Sequence, residues 1–470
     1  MEIHTDRTEN DKISTAESNF DHDDSLLLLR QTQHAYYGPE LPHPSEHLFL
    51  DETKNFDEQL NQHISHLFAS YSVDINHGFL PSTDPLSQLS LTGKFGCWEL
   101  IMNNLSQYLY AKIIRSVILS RLTVVQIEQD DLIDEREFQR ALFVVAMLSH
   151  AFVWGEEPVS KYIPACLAIP WVELTKRACS IPILTHSLTA LLNWKRFDIE
   201  KPIELGNIAM LNGFLSGLDE ANFYLVTIEL EFRGAKALKH MFKAQYFASQ
   251  EKIPELINEL KAIEIVQKDI IISLSKMFDK VDPYIFYNRV RHFLAGWKSN
   301  AALPNGMLYE GVSETPQVLH GASAAQSSLI TAFDVFFDVK HESEQTAEFL
   351  SEMRYYMPFK HRRLLEILGT KQHSISDFVR KQKDVELVSA YNRCIDQLVA
   401  FRNKHIQIVT LYILMQMRKN ATSTNYSTNN NDDHGQNTNE ISSSARGTGG
   451  TILMPFLKTC RDETKTQRLE

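Results

Sequence analysis

A histidine sits in the middle of an apolar helical stripe near the C-terminal end of this 470-residue chain. Over 385–418, Leu398, Phe401, His405, Val409 and Tyr412 recur at spacings of three, four, four and three, which puts them on one helix face. Burying an imidazole there without a partner is costly. Two arrangements remove the cost: a hydrogen bond inside a core, or an axial bond to heme iron in an apolar pocket. From spacing alone the core arrangement is the commoner. His361 competes for either role, with Met357, Leu364, Leu365 and Leu368 on its face. Periodicity leaves the two histidines tied.

Three further segments carry chemistry in their residue types. Arg291 stands among Phe286, Tyr287, Phe293 and Trp297, where a guanidinium could grip a carboxylate through two parallel hydrogen bonds. A snorkelling surface arginine is the commoner fate of such a residue. The small-residue run Gly321-Ala322-Ser323-Ala324-Ala325-Gln326-Ser327-Ser328 opens a helix and permits close approach of a flat ligand or a tight helix crossing. Gly447-Thr448-Gly449-Gly450 is not a P-loop, because no GxxxxGK[ST] pattern is present.

The elements that must position these residues are helical. After Trp98 a 3.6-residue period dominates, through Ile114, Ile118, Leu122 and Val125, and Phe138–Trp154 reads as a nearly all-buried helix. Apolar stripes continue over 222–248, 252–280, 284–296, 324–338, 344–357 and 376–418, with no convincing strand of more than a few residues. The expected fold class is mainly α. Residues 1–25 read as a disordered acidic arm, 26–210 as a smaller, mostly helical N-terminal domain and 211–470 as a large helical domain. The Asn/Ser/Thr-rich 419–446 reads as a mobile loop. Its return to a glycine motif fits a lid, or equally a spacer before a docked C-terminal helix.

Composition narrows the classes. Lys+Arg 47 against Asp+Glu 59 gives a net charge of −12, which argues against a nucleic-acid binder. Hydrophobic residues at 43% and charged residues at 23% are ordinary for a globular protein. Cys97, Cys166, Cys179, Cys394 and Cys460 are scattered and form no CxxC pair, so neither a zinc ribbon nor a disulfide framework is expected. The longest apolar stretch, Ala141–Trp154, is too short to span a bilayer, and the first residues are polar and acidic. The expected setting is the cytoplasm, with no membrane partner.

Taken in order, several runs resemble the indoleamine 2,3-dioxygenase family, especially its fungal members. They are Phe223-Tyr224-Leu225-Val226, Phe293-Leu294-Ala295-Gly296-Trp297-Lys298, Tyr309-Glu310-Gly311 and Ser323-Ala324-Ala325-Gln326-Ser327-Ser328. Met353-Arg354-Tyr355-Tyr356-Met357-Pro358, His405-Ile406-Gln407-Ile408-Val409-Thr410 and Gly447-Thr448-Gly449-Gly450-Thr451 follow. The likeness spans roughly residues 75–462.

The resemblance implies a heme b enzyme that inserts both atoms of O2 across the indole C2=C3 bond of L-tryptophan, giving N-formylkynurenine on a route toward NAD. It implies heme between a small mixed N-terminal domain and a large helical C-terminal domain, and a monomer is expected. His405 then matches the iron ligand, with Arg402 and Asp334 a charged pair beside the heme. Arg291 and Phe286 match the residues that hold the substrate carboxylate and flank its ring. Phe223 and Thr227 match the pocket wall, Ser323 and Ala324 its edge, and Thr448 the lid; no side chain is assigned as a catalytic acid or base. Three residues depart from the family pattern: Thr227 for serine, Ala322 for glycine and His186 for tyrosine. His186 then belongs to the heme environment, either as a distal imidazole toward the indole N–H or bound O2 or, the commoner case, pointing away from the iron to fill the tyrosine's space with its ring nitrogens satisfied by backbone. The rival expectation is a heme-binding sensor or low-activity paralogue that keeps His405 without efficient turnover.

Overall fold

The computed structural model describes residues 55–132, 134–427 and 445–470. The acidic arm expected over 1–25 and residues 428–444 of the expected loop lie outside the described residues. Helices of two turns or more are numbered below in chain order.

Local chemistry explains where the helices start. At α1 (Phe56–Ser70) the Asn55 side chain accepts the Asp57 and Glu58 N–H groups at 3.0 and 3.4 Å. The helix then buries Leu60, Ile64, Leu67 and Phe68, one face at helical spacing. In α2 (Ile114–Arg121) the apolar period stops early. Leu122 is already extended, so Val125, expected on the same helix, is buried from outside it. In α3 (Glu135–Trp154), capped by Asp134, every residue from Arg140 to Val153 is buried. Arg140 tolerates this because Glu99 receives it at 2.6 and 2.9 Å.

The strands are short. β1 (Tyr162–Ile163) precedes α4 (Ala165–Arg177) and pairs in parallel with β4 (Leu308–Tyr309). β2 (Trp194–Arg196) pairs antiparallel with β3 (Ile208–Met210). A continuous apolar core runs from Leu60 to Phe401, so packing crosses residue 210 without a break.

Helices form the centre of the large half. α5 (Leu218–Ser249) folds back on α6 (Ile253–Ser275). Its Met241–Ala248 stretch is buried all round, with Lys243 satisfied by Asp57 at 3.0 Å and Gln245 by the Leu368 and His373 carbonyls. α7 (Ser328–Phe336) crosses α5 at Gly234, where a Cβ would overlap Leu329. α8 (Glu344–Arg354), α9 (Phe359–Leu368) and α10 (Ile375–Gln382) follow. Lys383 breaks the chain with a φ of 55°, and Asp384 caps α11 (Val385–Val409), accepting Leu387 N–H at 2.8 Å. α11 packs on both α6 and α13 (Leu453–Lys465). Beyond a π turn at Thr410–Leu414, α12 (Met415–Ser427) continues the helix into the segment expected to be loop from Lys419 onward.

Candidate active site

Between α5, α7, α11 and α13 lies a cavity of about 280 Å³. Three single-turn π segments, Ser187–Leu191, Phe286–Val290 and Thr410–Leu414, all contribute lining residues. Such turns widen a helix locally and re-aim its side chains, and they concentrate at functional sites.

His405 projects into this cavity from the apolar face of α11, between Phe401 and Val409. Leu398, on the same stripe, belongs to the core instead. No described residue hydrogen-bonds the His405 ring, and its nitrogens are not sealed off. Burial, then the nearby Arg402 guanidinium, pushes its pKa down to about 4, so the ring is neutral and keeps a lone pair. His361 does not line the cavity. It packs 4.9 Å from the Phe79 ring, beside the Ser72 backbone, as a core residue.

Arg402 and Asp334 face each other across the cavity wall as a close ion pair. Burial opposes the Arg402 charge, but the Asp334 carboxylate, with Cys460 and Glu463 nearby, outweighs it and raises the guanidinium pKa. The Arg402 Nε remains buried without a partner.

Arg291 follows directly from the Phe286–Val290 π turn. Its Nη2 donates to the Arg446 carbonyl and its guanidinium lies 5.7 Å from the Tyr287 ring. Burial lowers its pKa, and its Nε has no partner. The group sits deep in the protein, while part of its surface stays bare because that part faces the cavity. No carboxylate among the described residues pairs with it.

An aromatic wall completes this side. Phe223 and Phe286 lie 4.7 Å apart, and Phe286 meets Tyr412 at 6.0 Å. With Val226, Met277 and Ile408 they form a small apolar cluster apart from the main core. The Tyr412 hydroxyl is anchored between the Met277 and Val281 carbonyls at 2.6 and 2.8 Å. Thr227 Oγ1 donates to the Phe223 carbonyl at 3.1 Å, so its proton is committed within α5.

The small-residue run supplies the opposite edge. Gly296 and Gly321 pack backbone to backbone, where either Cβ would overlap the other strand of chain. That contact sets Ala322, Ser323 and Ala324 on the cavity rim. Ser323 Oγ accepts the Ala325 N–H, and Ser327 Oγ accepts the Ile330 N–H at the start of α7. Thr448 Oγ1 donates to the Ala322 carbonyl, which brings the 447–451 loop against the same rim.

His186 also lines the cavity, but not as expected. Its ring is held by a side chain, not by backbone: Nε2 lies 3.0 Å from Glu231 Oε1. Ser327 Oγ donates to that same oxygen at 2.7 Å. Glu231 was not among the candidate residues, although it continues the spacing of four that links Phe223 and Thr227 on α5. All eleven expected site residues therefore border one cavity.

The family model described as indoleamine 2,3-dioxygenase matches residues 67–467. The chain is 33% identical to human indoleamine 2,3-dioxygenase 2, over 84% of this chain and 94% of that protein. It is 34% identical to the indoleamine 2,3-dioxygenase of Saccharomyces cerevisiae, over 85% of this chain and 93% of that protein. Mouse indoleamine 2,3-dioxygenase 1 is 33% identical, over 85% of this chain and 95% of that protein. With a match from residue 67 to 467 and these coverages, the chain belongs to the indoleamine 2,3-dioxygenase family.

Proposed function

We propose that this protein is a heme b-dependent dioxygenase that opens the indole ring of L-tryptophan with O2 to give N-formylkynurenine. One observation carries the reading. A neutral, unpartnered His405 and a buried, carboxylate-free Arg291 border the same cavity.

The residues fit the cofactor. His405 offers an unprotonated nitrogen from an apolar wall, which is what an axial iron ligand requires. Arg402 and Asp334 form the charged pair beside it. When bound, heme supplies the redox-active iron that activates O2, chemistry no side chain of this cavity can perform.

The protein's part is binding and orientation. Arg291 takes the substrate carboxylate, which supplies the anion its buried charge lacks. Phe223 and Phe286 flank the indole and fix its plane. The 447–451 loop covers the amino-acid end, with Thr448 held against the Ala322 carbonyl. Apolar walls exclude water from reactive oxygen species. No acid or base is required from the wall: the Thr227 proton is committed to its own helix and His186 to Glu231.

Among the described residues no helix is long and apolar enough to cross a membrane. We place the enzyme in the cytoplasm as a monomer, at the entry of a route toward NAD. The test is heme-loaded, reduced protein supplied with L-tryptophan and O2, read by product mass. N-formylkynurenine is expected. A normal heme spectrum without product overturns the enzyme reading in favour of a heme-binding sensor.

A further inference from the structure

The loop that rims the cavity is held from behind by a charged cluster. His320 Nδ1 bonds the Gly449 carbonyl. Its Nε2 lies 3.0 Å from Glu352 Oε2 on α8, an ion-pair contact too oblique for an aligned hydrogen bond. Glu352 in turn receives Lys298 Nζ at 3.0 and 3.2 Å. The Tyr356 hydroxyl accepts the His320 backbone N–H at 3.0 Å, and the Phe349 and Tyr356 rings close round the imidazole. On the loop side Arg446 Nη1 donates to the Gly450 carbonyl at 2.8 Å. Gly450 takes a φ of +84° and lies against the Lys298 carbonyl, where a Cβ would come within 3.2 Å.

Both atoms that the His320 ring faces are acceptors. The carbonyl needs an N–H at Nδ1. We propose that His320 is a positioning residue that latches the 447–451 loop over the amino-acid end of the substrate through the Gly449 carbonyl, with Glu352 close against the far side of its ring. The inference rests on the reading that this loop covers tryptophan. Glu352 is charged throughout the neutral range: burial pushes its carboxyl up, but His320 and Lys298 outweigh that and hold it at about 2. Without the imidazole the Gly449 carbonyl loses its donor, the latch loosens and substrate affinity falls.

The experiment compares KM and kcat for L-tryptophan between the heme-loaded parent and its variants at one pH. Alongside it, hydrogen exchange of the 445–453 segment is corrected for intrinsic rates. His320→Ala should raise KM roughly tenfold, the factor of one hydrogen bond, and lower loop protection, with kcat changing less. His320→Asn, which keeps an N–H donor for the Gly449 carbonyl, should recover part of both. His320→Ala with parental KM and loop protection overturns the latch. A parent without turnover sinks the proposed activity instead, while loop protection still decides the latch.

Discussion

His186 lies 3.0 Å from Glu231, so the most unusual residue of the cavity wall is tied to a buried carboxylate. Ser327, the cap of α7, donates to the same oxygen at 2.7 Å. One acidic side chain on α5 thus joins the 182–191 segment to α7. Glu231→Ala leaves both donors without an acceptor and is expected to cost about 1–3 kcal/mol of stability. Urea unfolding should show a lower midpoint with an unchanged slope. An unchanged midpoint contradicts a bridging role. His186→Tyr should leave kcat within about threefold in a steady-state assay, because the imidazole's hydrogen bond runs to Glu231 and not to the substrate.

Heme retention is expected to separate His405 from His361. His405→Ala should abolish heme retention, read as loss of the Soret band after reconstitution. His361→Ala removes a ring packed on Phe79 and should lower stability by about 2–4 kcal/mol while keeping the Soret band. The reverse pattern would return the assignment to His361.

Arg291→Leu should weaken tryptophan binding by roughly 2–5 kcal/mol, as for truncating one side of a desolvated charge pair, with heme content unchanged. Spectral titration of the heme protein with tryptophan measures it. A variant that binds like the parent ends the carboxylate assignment.

Acid should unfold the protein through buried neutral histidines. His150 Nδ1 lies 2.8 Å from the Phe293 carbonyl, and its Nε2 accepts the Leu184 N–H at 3.1 Å. A second proton would meet a donor, and burial lowers the pKa to about 4 from an ordinary 6.5. Between those values the unfolded chain binds the proton and the folded one does not, so stability is full above about pH 6.5 and falls toward pH 4 by roughly 3 kcal/mol for this group. His150→Asn keeps a donor for Phe293 but titrates nothing, so its stability should fall less steeply over that window. Parallel stability curves for parent and variant would contradict the account.

Much of the site could be read from the chain because its residues sit on strong helical periods. His405 stands out on α11 since an imidazole on an apolar stripe demands a partner. Its tie with His361 could not be broken by periodicity, because both faces are apolar and only tertiary placement differs: one faces a cavity, the other Phe79. Glu231 had a visible signal in the spacing Phe223, Thr227, Glu231, yet a glutamate on a helix usually reads as solvated. His320 gave no local signal at all, since its partners Gly449 and Glu352 are remote in sequence. The π turns were equally silent. A 3.6-residue pattern does not register the inserted residue that turns Phe286 and Tyr412 toward the cavity.

The central claim is that the cavity joining His405 and Arg291 supports dioxygenation of tryptophan. Isotopically heavy O2 supplied to the reduced, heme-loaded protein with L-tryptophan tests it most directly, with mass analysis of the freshly formed product. N-formylkynurenine carrying both heavy oxygen atoms is the expected product. Product with only one, or none formed by a protein that binds both heme and tryptophan, would contradict it.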